Sequence, residues 1–371
     1  MSVAIWFVPC HPGSASTQEI DAMDMQVDKT IRTVPCPHCY VCGSPGHMLY
    51  DGLKDRLFDA SGSWNLRACA NDKCGLVWLD PMPVEDDLHK AYQTYYTHTD
   101  HAVRQLSMAR RLVRNIGEGY LSRRYGYNNE RLPRWYWNVG GLMHLHPGAM
   151  ANLDFSVFYL PAKSGGRLLE VGFGSGKMLR SMQGRGWQVE GVDVDPDAVK
   201  NATKKGLQVH LGKLEDLRLP SNCYDAIAMS HVIEHVPEPL NLLRECHRLL
   251  KPGGTLVAIT PNIRSWGHRL YASDWLALDP PRHLHLFSAE SLTELAERSG
   301  IRIGRLTTTV RDANGLFIAS DSIRRTGSYQ MGSVAKSRLT YYWARALLHA
   351  EWLLMKFRPG FGEELVLIGS K

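Results

Sequence analysis

The chain has 371 residues, 44% of them apolar and 22% charged, and a formal net charge of +6. That length predicts two or three domains with ample core, and the composition is ordinary for a globular protein. No run of about 18 uncharged apolar residues occurs, so no membrane span is expected. The modest charge gives no ground of its own for nucleic-acid binding.

Taken in order, Met1–Pro9 is apolar but lacks basic residues ahead of it and a cleavage site after it, so it is not read as a secretory signal. Residues 10–33 are rich in Ser, Thr, Asp, Met and Gln without a period, and 1–33 is expected to be disordered. Residues 34–82 read as a small module of their own. Of eight cysteines in the chain, Cys36, Cys39, Cys42, Cys69 and Cys74 fall here. Cys39-Tyr40-Val41-Cys42-Gly43 has the form of a zinc knuckle: two thiolates two residues apart, then a glycine that allows the tight turn. Cys69 and Cys74, with a slightly longer spacer, supply the second pair. Cys39, Cys42, Cys69 and Cys74 are therefore the expected ligands of a structural zinc, Cys36 or His38 being the alternatives for one of them. The strand Leu76–Leu79 then completes a zinc ribbon. Clustered thiols in a chain read as leaderless favour metal over disulfides and a cytoplasmic setting.

Residues 83–160 are expected to be mostly helical. Leu106, Ala109, Leu112, Val113, Ile116 and Tyr120 recur at helical spacing. Arginines at 104, 110, 111, 114, 123, 124, 131 and 134 fill the gaps, with aromatics from Tyr120 to Trp137 among and after them. Such a face suits an anionic acceptor, such as a nucleotide-linked sugar or a phosphorylated lipid head. It equally suits RNA stacked on the rings, or no ligand at all, as a solvated helix face.

From residue 161 to 371 strands and helices alternate. Strands are expected at Arg167–Val171, Gln188–Val192, Leu207–Leu211, Tyr224–Met229, Thr255–Thr260, Ile301–Val310 and Leu365–Gly369. Several are continuous apolar runs, which means burial on both faces and a parallel sheet. The fold class is α/β: a Rossmann-like, seven-stranded, mostly parallel sheet with helices on both faces, preceded by the ribbon and the helical segment.

The most informative run is Leu168-Leu169-Glu170-Val171-Gly172-Phe173-Gly174-Ser175-Gly176, a strand ending in three glycines two residues apart. Asp193 follows Gly172 by twenty-one positions, at the tip of the next strand. A dinucleotide fingerprint needs its third glycine one position later, where Lys177 stands. The turn therefore suits a nucleoside cofactor without a pyrophosphate, and S-adenosylmethionine (SAM) fits.

With Gly191-Val192-Asp193-Val194-Asp195, the stretch Tyr224–Val236, Leu249–Gly254 and Pro280–Ser288, this run resembles the class I SAM-dependent methyltransferases. The nearest likeness is to the subgroup of ubiquinone-type O-methyltransferases and bacterial small-molecule methyltransferases. The resemblance covers about residues 160–310 and the last strand. It implies that Glu170 attracts the cofactor's ammonium group, that Gly172, Gly174 and Gly176 let the backbone approach it, and that Asp193 accepts from the ribose hydroxyls. Leu214, Glu215 and Ser230 complete the expected cofactor contacts. Lys213 departs from the pattern: it stands where relatives carry an acid facing the adenine. A ribbon ahead of the catalytic fold is similar to that of some bacterial sugar C-methyltransferases.

Methyl transfer to oxygen or carbon needs alignment and a base. His283 is the expected base, since it aligns with a loop histidine of related O- and sugar C-methyltransferases; the alternative is that it only fixes its loop. His285 alternates with it, so one of the two faces the site. His231 is the second catalytic candidate. In ubiquinone-type relatives an acid at its position, with the following Glu-His, is associated with a divalent metal. Here Glu234 and His235 are read as capping or packing the next turn. Near the C-terminus, residues 339–357 form a helix with one narrow polar stripe (Arg345, His349, Lys356), suited to core or homodimer packing ahead of lipid contact. The expected activity is methyl transfer from SAM to an oxygen or carbon of a small-molecule acceptor. An RNA or protein methyltransferase, or a catalytically silent SAM-binding module, are the competing readings.

Overall fold

The computed structural model describes residues 30–92, 107–128, 132–330 and 337–371. The expected disorder before residue 30 lies outside these, as do Arg104, Leu106 and Arg131; of Ala109 and Arg110 the backbone alone is described. Chain order begins with β1 (Thr33–Val34), β2 (Gly46–Leu53), β3 (Trp64–Cys69), β4 (Val77–Leu79) and β5 (Met82–Pro83). A 3-10 segment, Glu85–Tyr92, precedes helices α1 (Met108–Tyr125), α2 (Trp135–Val139) and α3 (Pro147–Phe155). The α/β part then runs β6 (Arg167–Val171), α4 (Lys177–Gln183), β7 (Gln188–Asp193), α5 (Pro196–Lys204), β8 (Gln208–Leu211), β9 (Tyr224–Ser230), α6 (Pro239–Leu249) and β10 (Leu250–Pro261). It ends with α7 (Trp266–Tyr271), β11 (His285–Leu286), α8 (Ala289–Arg298), β12 (Arg302–Thr309), α9 (Ala313–Thr326), α10 (Arg338–Phe357) and β13 (Glu364–Ser370).

The large sheet has the order β12-β13-β10-β9-β6-β7-β8. From β10 to β8 all neighbours are parallel, and β13 is inserted antiparallel to β10 and β12. The apolar runs explain the layering. Leu169, Val171, Ile227, Met229, Leu256 and Ala258 face one core, while Leu168, Ala226, Ala228, Val257 and Ile259 face another. Both faces are thus covered, as continuous apolar strands require. The chain steps outward from β6 to β7 and β8, then returns to place β9 on the other side of β6. That reversal opens a crevice beyond the carboxyl ends of β6 and β9, where open α/β sheets bind their ligands.

The ribbon is built into the rest of the fold. Strands β2, β3 and β4 form an antiparallel sheet whose fourth strand is β11, with His285 opposite Trp78 and Leu286 opposite Val77. A third core unites Trp64, Leu66 and Leu79 of the ribbon with Trp275, Leu284 and Phe317. Ser288, which caps α8 by accepting from Ser291 N, donates its hydroxyl to the Cys74 carbonyl at 2.7 Å. The loop carrying His283 is therefore held between the ribbon and the sheet.

Candidate functional site

The cofactor half is assembled from adjacent strand ends. Gly172 and Gly176 have φ of +69°, in the left-handed region that glycine alone enters freely. A Cβ on Gly172 would meet Val232 Cγ2 at 2.4 Å, so the turn packs directly against the chain leaving β9. Gly176 begins α4. Asp193 sits at the tip of β7, where its carboxylate accepts from Gly174 N at 2.8 Å and Asp195 N at 3.0 Å. These bonds aim an acid with four acceptor positions at the glycine turn. Glu170 is buried and its Oε2 has no hydrogen-bond partner. Burial, then the nearby Asp193 charge, push its carboxyl well above the usual range. A buried acid with an open oxygen beside such a turn fits the cationic end of SAM. Leu214 is buried, Glu215 is exposed, and Ser230 ends β9 half-buried. Lys213, the departure from the family pattern, pairs with Glu85 from the segment after the ribbon.

The other half of the site draws on widely separated segments. His231 follows β9 with φ of +55°, unusual for a residue with a side chain. Its Nδ1 lies 3.1 Å from Glu234 Oε1 and its Nε2 2.9 Å from Glu364 Oε1. Burial pulls this imidazole down, but bonds to Glu234 and Glu364 outweigh it and hold the group at about 9. His231 is thus a cation at neutral pH with both N–H groups engaged. Arg311 Nη2, which can only donate, also lies 3.0 Å from that Nε2, so His231, Glu364 and Arg311 form one charged network. Arg311 Nε donates to Glu364 at 2.8 Å, and its guanidinium lies 3.8 Å from the centroid of the Phe155 ring.

Glu234 is fully buried and also accepts from Thr260 Oγ1 at 2.9 Å. Burial raises this carboxyl, but His231 more than compensates and holds it at about 2. One carboxylate oxygen of Glu234, one ring nitrogen of His235 and one of His283 lie within 4.8 Å of one another. His283 Nδ1 is 2.7 Å from the Ala277 carbonyl and His235 Nδ1 is 3.0 Å from the Arg282 carbonyl. A carbonyl only accepts, so each ring carries its proton on Nδ1 and a lone pair on Nε2. Burial outweighs the opposing pull of Glu234 and holds both rings at about 4. Two neutral imidazoles and one carboxylate therefore converge. His283 keeps a proton-accepting nitrogen, as a base requires. The same three groups, their imidazoles oriented by backbone carbonyls, also suit a divalent transition metal.

Glu234 and His235 thus do more than cap a turn. Ile233–His235 is a 3-10 turn, so His231 and His235 do not share an α-helical face, and His231 stays outside the three-residue group. Of the two loop histidines, His283 faces Glu234 and His235, while His285 is buried in β11 against Tyr40 of the ribbon at 5.3 Å between ring centroids. Sequence reasoning missed Arg311, Glu364 and Thr260. Their distance along the chain left no motif to read; polar residues at the tips of β10, β12 and β13 were the available signal.

Four sulfurs of the ribbon, Cys39, Cys42, Cys69 and Cys74, also lie within 4.8 Å of one another. The Cys39–Cys74 and Cys42–Cys69 pairs are 3.6 and 3.4 Å apart. Tetrahedral zinc at about 2.3 Å from each sulfur sets sulfurs about 3.8 Å apart, so the cradle fits. Cys36 and His38 are not in the group. Cys36 instead meets Asp80 and Trp78 through its backbone.

The strand order and glycine turn are those of a Rossmann-like SAM-dependent methyltransferase fold, and a family model described as a methyltransferase domain matches residues 146–304. The chain spans little more than half the length of the curated relatives that it matches. It is 36% identical over 136 residues to the ubiquinone biosynthesis O-methyltransferase of Xanthomonas oryzae pv. oryzae (strain PXO99A), which spans 35% of this chain and 56% of that protein. It is 29% identical over 163 residues to the protein of the same name from Alkalilimnicola ehrlichii, across 41% of this chain and 65% of that one. A solved SAM-dependent methyltransferase from Mesorhizobium loti is 19% identical, with a TM-score of 0.42, across 60% of this chain and 98% of that one.

Proposed function

We propose that this chain transfers a methyl group from SAM to an oxygen or carbon of a small-molecule acceptor, in the cytoplasm, with a structural zinc in the ribbon. The observation that carries the reading is the left-handed glycine turn bonded to Asp193 beside the open oxygen of Glu170. Bound there, SAM supplies a methyl carbon on a positive sulfur, which takes back the S–C electron pair when an acceptor lone pair displaces it. Asp193 and Glu170 hold the nucleoside and ammonium ends. His283 Nε2 receives the proton that the acceptor's O–H or C–H gives up, and Glu234 stabilises the imidazolium so formed. His231, Arg311 and Glu364 form a rigid polar wall at the mouth of β9. Zinc on the four cysteines would tie the hairpins of the ribbon together and so brace β11 and His283.

A second reading of the same cluster is favoured by its donor set. Glu234, His235 and His283 would hold a divalent cation, which would lower the pKa of an acceptor hydroxyl. Arginines that the sequence offered for an acidic partner are partly engaged already: Arg124 lies over the rings of Tyr120 and Tyr125 and 3.4 Å from Asp154. Labelled SAM incubated with the purified chain and fractionated cell extract tests the proposal. A methylated small molecule, identified by mass spectrometry, is the expected result; label in RNA or protein alone, or tight SAM binding without transfer, would overturn it.

A further inference from the structure

Helix α10 is apolar on two opposite sides. Its inner face buries Ala344, Leu348 and Glu351. Its outer face exposes Leu339 (80%), Tyr342 (64%), Trp343 (48%), Leu353 (50%) and Phe357 (82%), with Ala346 and Ala350 between them. From Leu339 the stripe advances by steps of three, four, four, three and four residues, which is 3.6 per turn. A heptad frame through Leu339, Trp343, Ala346, Ala350, Leu353 and Phe357 is equally free of polar residues. Spacing alone thus suits a flat surface and a second helix alike, and the charges beside the stripe separate the two.

Charge favours an anionic surface over a second copy of this basic helix. Arg338, Arg345, His349 and Lys356 line one flank of the stripe. The helix has a single acid, Glu351, and it lies on the buried face. Leu142 and Leu145, 53% and 70% exposed, precede α3, whose start packs on α10 where Gly148 meets Leu348. No helix among the described residues is long and apolar enough to cross a membrane. Aromatic and leucine side chains on one face, with basic residues beside them and no exposed acid, make a helix that lies in the headgroup plane.

We propose that α10 docks this chain on a bilayer surface bearing anionic lipid. The stripe enters the headgroup boundary, and Arg338 and Lys356 meet the lipid charges. A polar cleft of about 170 Å³, lined by His146, Asn152, Asp312, Tyr341, Arg345 and His349, opens beside the stripe, next to Arg311 of the site wall. Docking therefore brings the headgroup region to the acceptor side of the fold.

Flotation of the full chain with vesicles tests this, using pure phosphatidylcholine and phosphatidylcholine containing phosphatidylglycerol. Binding to the anionic vesicles alone, weakened by salt, is expected. Arg338→Ala with Lys356→Ala should weaken it roughly 30-fold, at about 1 kcal/mol per basic residue near the surface. Leu339→Ser with Phe357→Ser should abolish it. SAM affinity by calorimetry should stay unchanged in both variants, which shows that they fold and separates this proposal from the methyltransferase reading. Failure of the native chain to float with anionic vesicles overturns the proposal. So does a soluble dimer that the serine variant converts to monomer while vesicle binding is unchanged.

Discussion

The two sides of the crevice are built in opposite ways. On the cofactor side, Glu170, Gly172, Gly174, Gly176 and Asp193 fall within 24 residues, on two adjacent parallel strands and the turn between them. On the acceptor side, His235 follows β9 and donates its ring N–H to the Arg282 carbonyl of the separate loop that carries His283, a loop fastened by Asp55 of the ribbon. Thr260 follows β9 by a helix and a strand, and Arg311 and Glu364 arrive from the far edge of the sheet. The first side is a piece of local backbone geometry and can stand wherever the sheet forms. The second exists only when six distant segments have folded together, so its chemistry is tied to global stability and to the ribbon.

That contrast can be broken experimentally, and the largest effect belongs to the acceptor side. His283→Ala should slow turnover by about 10²–10⁴-fold while SAM affinity stays intact. Because His283 is held at about 4, the acidic limb of kcat in the native chain should lie near pH 4. Near-normal turnover of the alanine variant would remove His283 from the chemistry and leave it as a loop anchor.

Next comes the clamp between the ribbon and the loop. Arg282 and Asp55 both have fully buried side chains and make two bonds of 2.7 Å. Asp55→Ala leaves Arg282 paired with Asp279 but short of two charged hydrogen bonds and should destabilise the chain by about 1.5–3 kcal/mol, read as a lower urea midpoint with unchanged slope. The exposed Arg264–Glu290 pair, 3.7 Å apart, should contribute about 0–1 kcal/mol by the same measurement. Equal losses at the two pairs would contradict the idea that the ribbon is fastened through Arg282.

On the cofactor side, Asp193→Ala should weaken SAM binding by roughly 1–3 kcal/mol, through lost hydrogen bonds to a charged group. Unchanged affinity in a calorimeter would sink the assignment. The zinc reading has its own check: one zinc per chain by atomic absorption, lost in Cys69→Ser together with His283-dependent turnover. A zinc-free but fully active native chain would separate the ribbon from catalysis.

A further expected effect is one of pH. The folded chain holds His231 at about 9, above its ordinary 6.5. Below pH 6.5 the folded and unfolded chains both keep the proton, and its pairing with Glu234 and Glu364 contributes in full. Between 6.5 and 9 only the folded chain keeps it, so the contribution falls as pH rises and is gone above about 9. Urea midpoints of the native chain and of His231→Gln should converge across that range. A gap that widened with pH would mean that the imidazole is neutral in the fold.

Much was legible in the sequence because it is written locally. The strands of the large sheet are apolar runs buried on both faces, and they appear within a residue or two of their expected bounds, β10 excepted, which begins five residues early at Leu250. The four ribbon cysteines converge because two short turns bring each pair together and the pairing of β2 with β3 sets the pairs side by side. Illegible were the roles of His231 and Glu234. Neither residue's spacing records that Glu364 stands opposite His231, 133 positions away, and ties a candidate base into a charged network.

By itself, then, the sequence determined the sheet, the glycine turn and the thiol cradle, because each follows from neighbours a few residues apart and from periodicity. Only the tertiary structure decided which histidine keeps a lone pair, where the ribbon is fastened, and which face of α10 stays outside. Those are questions of protonation and burial, and they depend on charges and surfaces that the chain brings together only once it has folded.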